Sequence, residues 1–321
     1  MNGRYLLRRL LQVVPAVAGI LVLTFVLAHV APNDPASDFA GEGADQAQID
    51  AARAYLGLDR PLPQQFFVYV GRLVHGDLGT SFVQRRPVLG LIGDRLGPTL
   101  LLTASALLVS TLGGLALGVL CARRARGVVA SAVSTTTLLA YSLPGFWVAQ
   151  VAVLTLAVKA GIFPAGSMTD PRAGFTGLDA TRDIARHLIL PALVVALSEV
   201  ALLVRVTRAG LLREAAQGYA LTARSKGASA DRVLARHVLP NALLPVVTII
   251  GSRVGFLVSG AVLVESVFGW PGLGRLLVEA AQSGDHPIIL GMVLLVSLSV
   301  ILSTLATDLT YAWIDPRIRA G

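Results

Sequence analysis

Long apolar stretches alternate with short charged ones along this chain, and their lengths set the first constraint. A helix rises about 1.5 Å per residue and the hydrocarbon core of a bilayer is about 30 Å thick, so about 20 mostly apolar residues make one crossing. Runs of that order lie near Leu10 to Val30, Thr99 to Cys121, Ala130 to Ala157, His187 to Val204, Ala242 to Leu263 and Pro287 to Tyr311. They predict six transmembrane helices in an all-α integral membrane fold. The fourth run is the shortest, and its flank "SEVALLVRVTRAG" carries Glu199 and Arg205, which places its lower end beyond the hydrocarbon. The first run has the basic start "MNGRYLLRRL" and small residues at "AHVAP", as a signal peptide would. It is about twice as long as the apolar part of a signal, so it is read as a retained span.

The pattern divides the chain into a first span over residues 1–31, an external segment over 32–98, and a core of five spans over 99–321. Within the external segment, "DQAQIDAARAYLGLD" has helical spacing after an aspartate start. The proline-bounded "RPLPQQFFVYVGRLVHGDLGTSF" puts Phe66, Phe67, Val70, Leu73 and Val74 toward one helical face. Two amphipathic helices joined by the "GDLG" turn and lying on the outer membrane surface are expected. They would serve as a lid or docking surface, or as a packing cap.

Composition agrees with the pattern. Hydrophobic residues make up 54% of the 321, only 14% are charged, and mean hydropathy is +0.70, which a soluble domain would not carry on its surface. The net charge of +8 is spread between apolar runs with few aromatic residues, a pattern for anionic lipid headgroups rather than nucleic acid. With Cys121 as the single cysteine, no intrachain disulfide and no cysteine metal cluster can form.

Charge also orients the chain. One set of loops carries fifteen basic residues against three acidic ones, Glu214, Asp231 and Asp315. The other set carries eleven basic against fourteen acidic residues in longer loops. The excess of arginine and lysine predicts a cell-membrane protein with both termini in the cytoplasm, together with the loop over 205–240.

That loop contains "YALTARSKGASADRVLARHVLP", longer and richer in small residues than an anchor needs. Leu221 to Lys226 is helix-permissive, and Ala223 and Gly227 are four apart, small enough to let a partner backbone approach. Gly227 can then turn the chain, with Ser229 as a cap and Asp231 in the first turn of a second helix.

At this point the chain resembles the permease subunits of ATP-binding-cassette importers, in the dipeptide and oligopeptide group that also holds nickel and glutathione importers. Thr222, Ala223 and Gly227, followed by Leu239 and Pro240, fit the spacing of the cytoplasmic signature, whereas the literal "EAA" at Glu214 to Ala216 does not. In order along the chain, "RYLLRRLLQVVP", "LGLDRPLPQQF", "HGDLGTSF", "PVLGLIGDRLGPTLLLT", "SLPGFWVAQ", "YALTARSKGAS", "VESVFGWPGLGRLL" and "DLTYAWIDPRIR" carry the likeness. Ser225 stands where alanine is usual, and Thr304 lies near a position often held by asparagine.

The resemblance implies a type I importer permease fold with a cytoplasmic coupling helix formed by Leu221, Thr222, Ala223, Arg224, Ser225, Lys226, Gly227, Ala228 and Ser229. This helix would seat in a groove on an ATP-binding subunit. The implied partners are a second homologous permease, two ATP-binding subunits that hold ATP and magnesium, and an extracytoplasmic substrate-binding protein, all in the membrane lipid. The implied cargo is a di- or oligopeptide, with glutathione or nickel as alternatives.

No catalytic, cofactor or metal site is expected in this chain. Its only lysines, in "AVKAG" and "RSKGA", do not complete a phosphate-binding loop, and His29, His75, His187, His237 and His286 are scattered singly. Three charges, Glu199, Arg253 and Asp308, fall within or beside apolar runs, where charge is costly and marks a path or a lock between helices. Arg253 either meets a substrate carboxylate or pairs with Asp308 or Glu199. "FGWPGLG" is expected as a re-entrant or surface turn near the outer mouth, a gate or a rigid cap. A proton-coupled transporter relayed by Glu199 and Asp308 fits poorly without an inverted repeat. An intramembrane hydrolase lacks a base matched to its serines.

Overall fold

The computed structural model describes residues 3–30, 35–41, 43–124, 127–254, 257–258 and 261–314. The chain divides into two compact units, Met1–Gly97 with Arg275–Gly321, and Pro98–Gly274. Among the described residues the structure is helical, with a single antiparallel bridge between Thr80 and Pro87.

The first unit contains α1 (Gly3–Val30), α2 (Pro35–Ala40), α3 (Gln46–Leu56), α4 (Leu62–Val74), the start of α5 (Val88–Arg123), most of α14 (Leu273–Ser283) and α15 (His286–Ile314). Helices α1 and α15 pack side by side. Helix α3 starts at a capping box, in which Asp45 accepts from the Gln48 N–H and Gln48 accepts from the Asp45 N–H. It ends at Gly57, whose φ of 73° is a left-handed stop that glycine adopts without a steric penalty.

Helix α4 meets the last turns of α1 through polar as well as aromatic contacts. Phe66 sets its edge on Phe25 at 5.3 Å, the Tyr69 hydroxyl donates to Thr24 Oγ1 at 2.8 Å, and His29 Nε2 bonds Gln65 Oε1 at 2.8 Å. Desolvation holds the Tyr69 phenol above its ordinary pKa of 10.0, against the opposing pull of the Thr24 bond, so it stays a donor at neutral pH. The expected single apolar face is therefore divided. Phe66 turns toward α1 while Phe67 and Val74 are exposed, because successive helical residues point about 100° apart. The "GDLG" turn follows α4 instead of joining the two helices, which are linked by Gly57 to Pro61.

The loop after this turn is held from a distant part of the chain. Asp285, buried between α14 and α15, accepts from Ser81 Oγ and from the N–H groups of Phe82 and Val83, each at 3.3 Å. Helix α5 then starts at Val88, about three turns before the apolar run that announced it.

The second unit contains the remainder of α5, α6 (Val128–Ser142), α7 (Gly145–Ala152) running on as a π-helical turn to Lys159, and α8 (Gly177–Ala215). Next come α9 (Gly218–Ser225), α10 (Ala230–Val233), a π-helical turn (Leu234–Val238), α11 (Leu239–Ala242), α12 (Leu244–Val254) and α13 (Val262–Val267). Helices α5 and α8 pack at glycines. A Cβ at Gly114 would lie 2.4 Å from Leu203 Cβ, and one at Gly118 would lie 2.6 Å from Thr207 Cβ. Small residues do this in membranes, where helices associate by close packing rather than by escaping water.

Among the described residues, four helices are long and apolar enough to cross a membrane: Leu11–Val30, Val88–Arg123, Gly177–Ala215 and His286–Ala306. Two further pairs meet the same test only together, Val128–Ser142 with Gly145–Lys159, bent by 101°, and Ala230–Ala242 with Leu244–Arg253, bent by 45°. The third apolar run is thus broken rather than continuous. Pro144 lacks a donor N–H and holds Leu143 extended, at ψ 136°, so the helix stops there and restarts in a new direction.

The glycine contacts generate a prediction with a sign. In open helix, glycine to alanine gains up to about 1 kcal/mol of helix propensity. Gly90→Ala, where a Cβ meets nothing within 4 Å, is expected to leave the thermal midpoint of the purified protein unchanged or raised. Gly118→Ala should lower it, because overpacking costs about 1–3 kcal/mol and outweighs the propensity gain. Equal midpoints for the two variants would contradict the close packing of α5 on α8.

Candidate functional site

The segment expected to meet a partner is built as a short helix on a buried base. Ala220 is fully buried against Leu211, Val233, Val238 and Ala242, and Ala223 and Ala228 pack on the same cluster. Of the small residues, Ala220 turns toward the chain's own helices, Ala223 and Ala228 do so in part, and Gly227 stays exposed. Small side chains are needed there because α9 lies close beneath α8 and the π-helical turn. Leu221, Thr222, Arg224, Ser225, Lys226, Gly227 and Ser229 are exposed.

Gly227 ends α9 as expected. Its φ is 83°, its N–H donates to Arg224 O, and the Ala228 N–H reaches Ala223 O, the paired bonds of a left-handed helix stop. Ser229 occupies the capping position of α10 with no side-chain capping bond, while Asp231 pairs with Arg123 at 3.0 Å. Tyr219 donates to Glu214 Oε2 at 2.8 Å. Its phenol sits above 10.0, through desolvation first and then through Glu214, with a bond to Asn241 pulling the other way. Gly210 brings α8 onto α11, since a Cβ there would lie 2.8 Å from the Ala242 carbonyl oxygen.

Of the three intramembrane charges, the structure joins two. Arg253 Nε on α12 lies 3.1 Å from Glu199 Oε2 on α8. Asp308 falls on α15, but its side chain lies outside the described residues, as do the side chain of Tyr311 and all of Gly255 and Gly260.

A third constellation escaped the sequence reading. Glu265, with 0% exposure, accepts from Thr99 Oγ1 at 3.0 Å and from the Gly274 N–H at 2.7 Å, and Thr99 Oγ1 in turn accepts from the Leu273 N–H at 2.7 Å. Trp270, also fully buried, donates through Nε1 to Pro98 O at 2.9 Å, and the Phe268 carbonyl accepts from the Ser167 N–H at 2.7 Å. Gly272 leaves the space, since a Cβ there would lie 2.3 Å from Glu265 Oε2. "FGWPGLG" is thus a packed knot and not a surface turn. Its aromatic side chains are drawn inside, and the N–H groups after Pro271 are shared out, Gly274 to the Glu265 carboxylate, Leu273 to Thr99 Oγ1 and Gly272 to Trp270 O. Glu265 was detectable as an acidic residue beside an apolar run. It lies two residues past Leu263, where the fifth apolar run ends.

With this architecture in view, comparison with known proteins gives a consistent result. Residues 114–320 match the family described as the binding-protein-dependent transport system inner membrane component, and residues 2–103 match its N-terminal family. The chain belongs to this family and is a multi-pass membrane protein, a transport permease. It is 41% identical over 319 residues to a Brucella suis chain carrying the name of a peptide permease protein, covering 98% of this chain and 99% of that one. It is 38% identical over 334 residues to the dipeptide transport system permease protein of Escherichia coli, covering 98% of each. It is likewise 38% identical over 315 residues to the glutathione transport system permease protein of Pectobacterium atrosepticum, again covering 98% of each.

The Glu265 knot yields the second prediction. Each hydrogen bond to a charged or buried group contributes about 1.5–3 kcal/mol, so Glu265→Leu, which strands Thr99 and the Gly274 N–H, is expected to cost about 3 kcal/mol or more. Thr99→Ser keeps the hydroxyl and should be nearly silent. Thermal unfolding of both variants in detergent checks this, and similar midpoints for the two would contradict it.

Proposed function

We propose that this chain is a membrane-spanning permease of an ATP-driven importer that moves di- or oligopeptides delivered by an external binding protein. The observation that carries the reading is the likeness to a dipeptide permease over nearly the whole chain, including the loop that presents α9. A glutathione importer is the second reading, supported by the equal identity to a glutathione permease.

In this proposal each bent helix pair counts as one crossing, giving six spans with both termini in the cytoplasm. A second homologous permease completes the path, and two ATP-binding subunits hold ATP and magnesium. The coupling helix is Leu221–Ser229, with Leu221, Thr222, Arg224, Ser225 and Lys226 outward. Closure of the ATP-binding subunits pushes on α9. Because α9 is seated by Ala220 on the base that α8 and α11 share, the push reaches the spans through packed contacts. Nucleotide on one side and loaded binding protein on the other bias a two-state equilibrium.

Gly227 supplies the test. A Cβ there meets nothing within 4 Å in this chain, so Gly227→Trp carries only the strain of its φ, about 1–2 kcal/mol. The expected outcome is a variant inserted in the membrane at near-normal abundance that no longer couples ATP hydrolysis to peptide uptake in proteoliposomes. Undiminished uptake would remove the docking role of this turn. Uptake driven by a proton gradient without ATP would overturn the importer reading itself.

A further inference from the structure

The Glu199–Arg253 pair joins two apolar helices, α8 and α12. Glu199 lies six residues along α8 from Arg205, the first of its basic residues at the charged end, or about 9 Å, and Arg253 lies about 13 Å along α12 from Leu244. Yet both side chains retain exposure, 26% for Glu199 and 41% for Arg253. Each has an exposed serine beside it, Ser198 on α8 and Ser252 on α12. Two charges left partly exposed on apolar helices are unsuited to lipid, because charged side chains in a span face a bundle interior or water.

We infer that this patch lines the hydrated path, and that the ion pair is the step where a zwitterionic cargo exchanges partners with it. The terminal carboxylate of the cargo binds the Arg253 guanidinium, and its terminal ammonium binds Glu199. The inference rests on the peptide reading above. The chemistry is balanced. Guanidinium offers a planar fork matched to a carboxylate, and a carboxylate accepts from ammonium. In the empty path the two side chains satisfy each other, so neither is left as an uncompensated charge. A passing zwitterion has no net charge but two poles that lose water, and the separated pair supplies a counter-ion for each. A lone arginine or glutamate would instead hold one pole and repel the other.

The experiment uses the complete transporter with its binding protein in proteoliposomes, in a Cys121→Ala background that removes the one native thiol. Ser198→Cys and Ser252→Cys leave the pair intact and report its surroundings to a charged, membrane-impermeant thiol reagent. Labelling is expected from the cytoplasmic side without nucleotide and from the external side in the ATP-trapped state. No labelling in either state would overturn the placement and leave the patch covered by lipid or by the second permease.

A second arm separates cargo exchange from a helix tie. Arg253→Gln should lower free dipeptide uptake about tenfold or more, the loss of a charge-assisted bond. Glu199→Gln with Arg253→Gln should regain normal abundance and thermal midpoint while uptake stays low. Uptake restored to normal in that double variant would overturn the proposal and make the pair a structural tie. Should the double variant not fold, Arg253→Lys decides, since a tie restored without uptake supports cargo exchange and full uptake opposes a need for the guanidinium fork. If the unaltered transporter moves no peptide while its ATPase responds to another cargo, the peptide reading fails instead, a result distinct from each of these.

Discussion

A hydroxyl or carboxyl group inside a bilayer has no water to bind, and that constraint orders the polar side chains of this protein. Most return to their own helix. Thr137 donates to Val133 O, Ser142 to Leu138 O, Thr155 to Val151 O, Thr248 to Leu244 O, Ser299 to Leu295 O and Thr304 to Val300 O, each one turn back. Those that reach across to another element are the ones that define architecture. Thr99 reaches Glu265, Thr103 reaches Leu257 O, Tyr69 reaches Thr24, and Glu199 reaches Arg253. The polar side chains that reach another element mark the places where helical structure is interrupted or where charge is held.

Helix α8 shows how this constraint combines with close packing. It is the longest described helix and continues past its apolar part to Ala215, so that a single element joins that apolar part to the loop that presents α9. Glycines on α5 let the two backbones approach, and its own Gly210 accepts the carbonyl of Ala242 at van der Waals range. Helix α9 then lies on the base formed by Leu211 and Ala242. A displacement of α9 meets a close-packed base, since Ala220 is fully buried against Leu211, Val233, Val238 and Ala242. Interiors packed in this way transmit strain rather than dissipating it.

Much of this was legible in the sequence because it follows from run length and from single residues with one physical use. Six apolar runs marked the helices later seen as four spans and two bent pairs, Asp45 marked the start of α3, and Gly227 marked a left-handed stop. What was illegible depended on three-dimensional neighbours. Pro144 sits in an apolar run whose composition is unchanged on both sides, so nothing local gave the size of the bend. Ala220, Ala223 and Ala228 look the same whether a small face serves a partner or the chain's own core. Their direction was set by Leu211 and Val238, which periodicity within α9 does not contain. Asp285 and Ser81 are brought together across the chain, and neither is unusual in its own segment.

The difference between Glu265 and Glu199 shows why burial and depth have to be weighed together. Both are acidic residues in apolar surroundings, and sequence alone ranks them alike. Glu265 is wholly buried, with backbone N–H and hydroxyl donors around it, so its neighbours are fixed and it acts as an internal brace. Glu199 meets a guanidinium that remains partly exposed, and among the described residues no backbone donor holds it. A carboxyl group enclosed by backbone donors is committed to the fold, since releasing it would strand several groups at once. A carboxyl group held by one flexible side chain at an accessible surface is committed only until a better-placed cation arrives. For a protein whose task is to pass a solute through the membrane, the second arrangement is the one with chemistry left to offer.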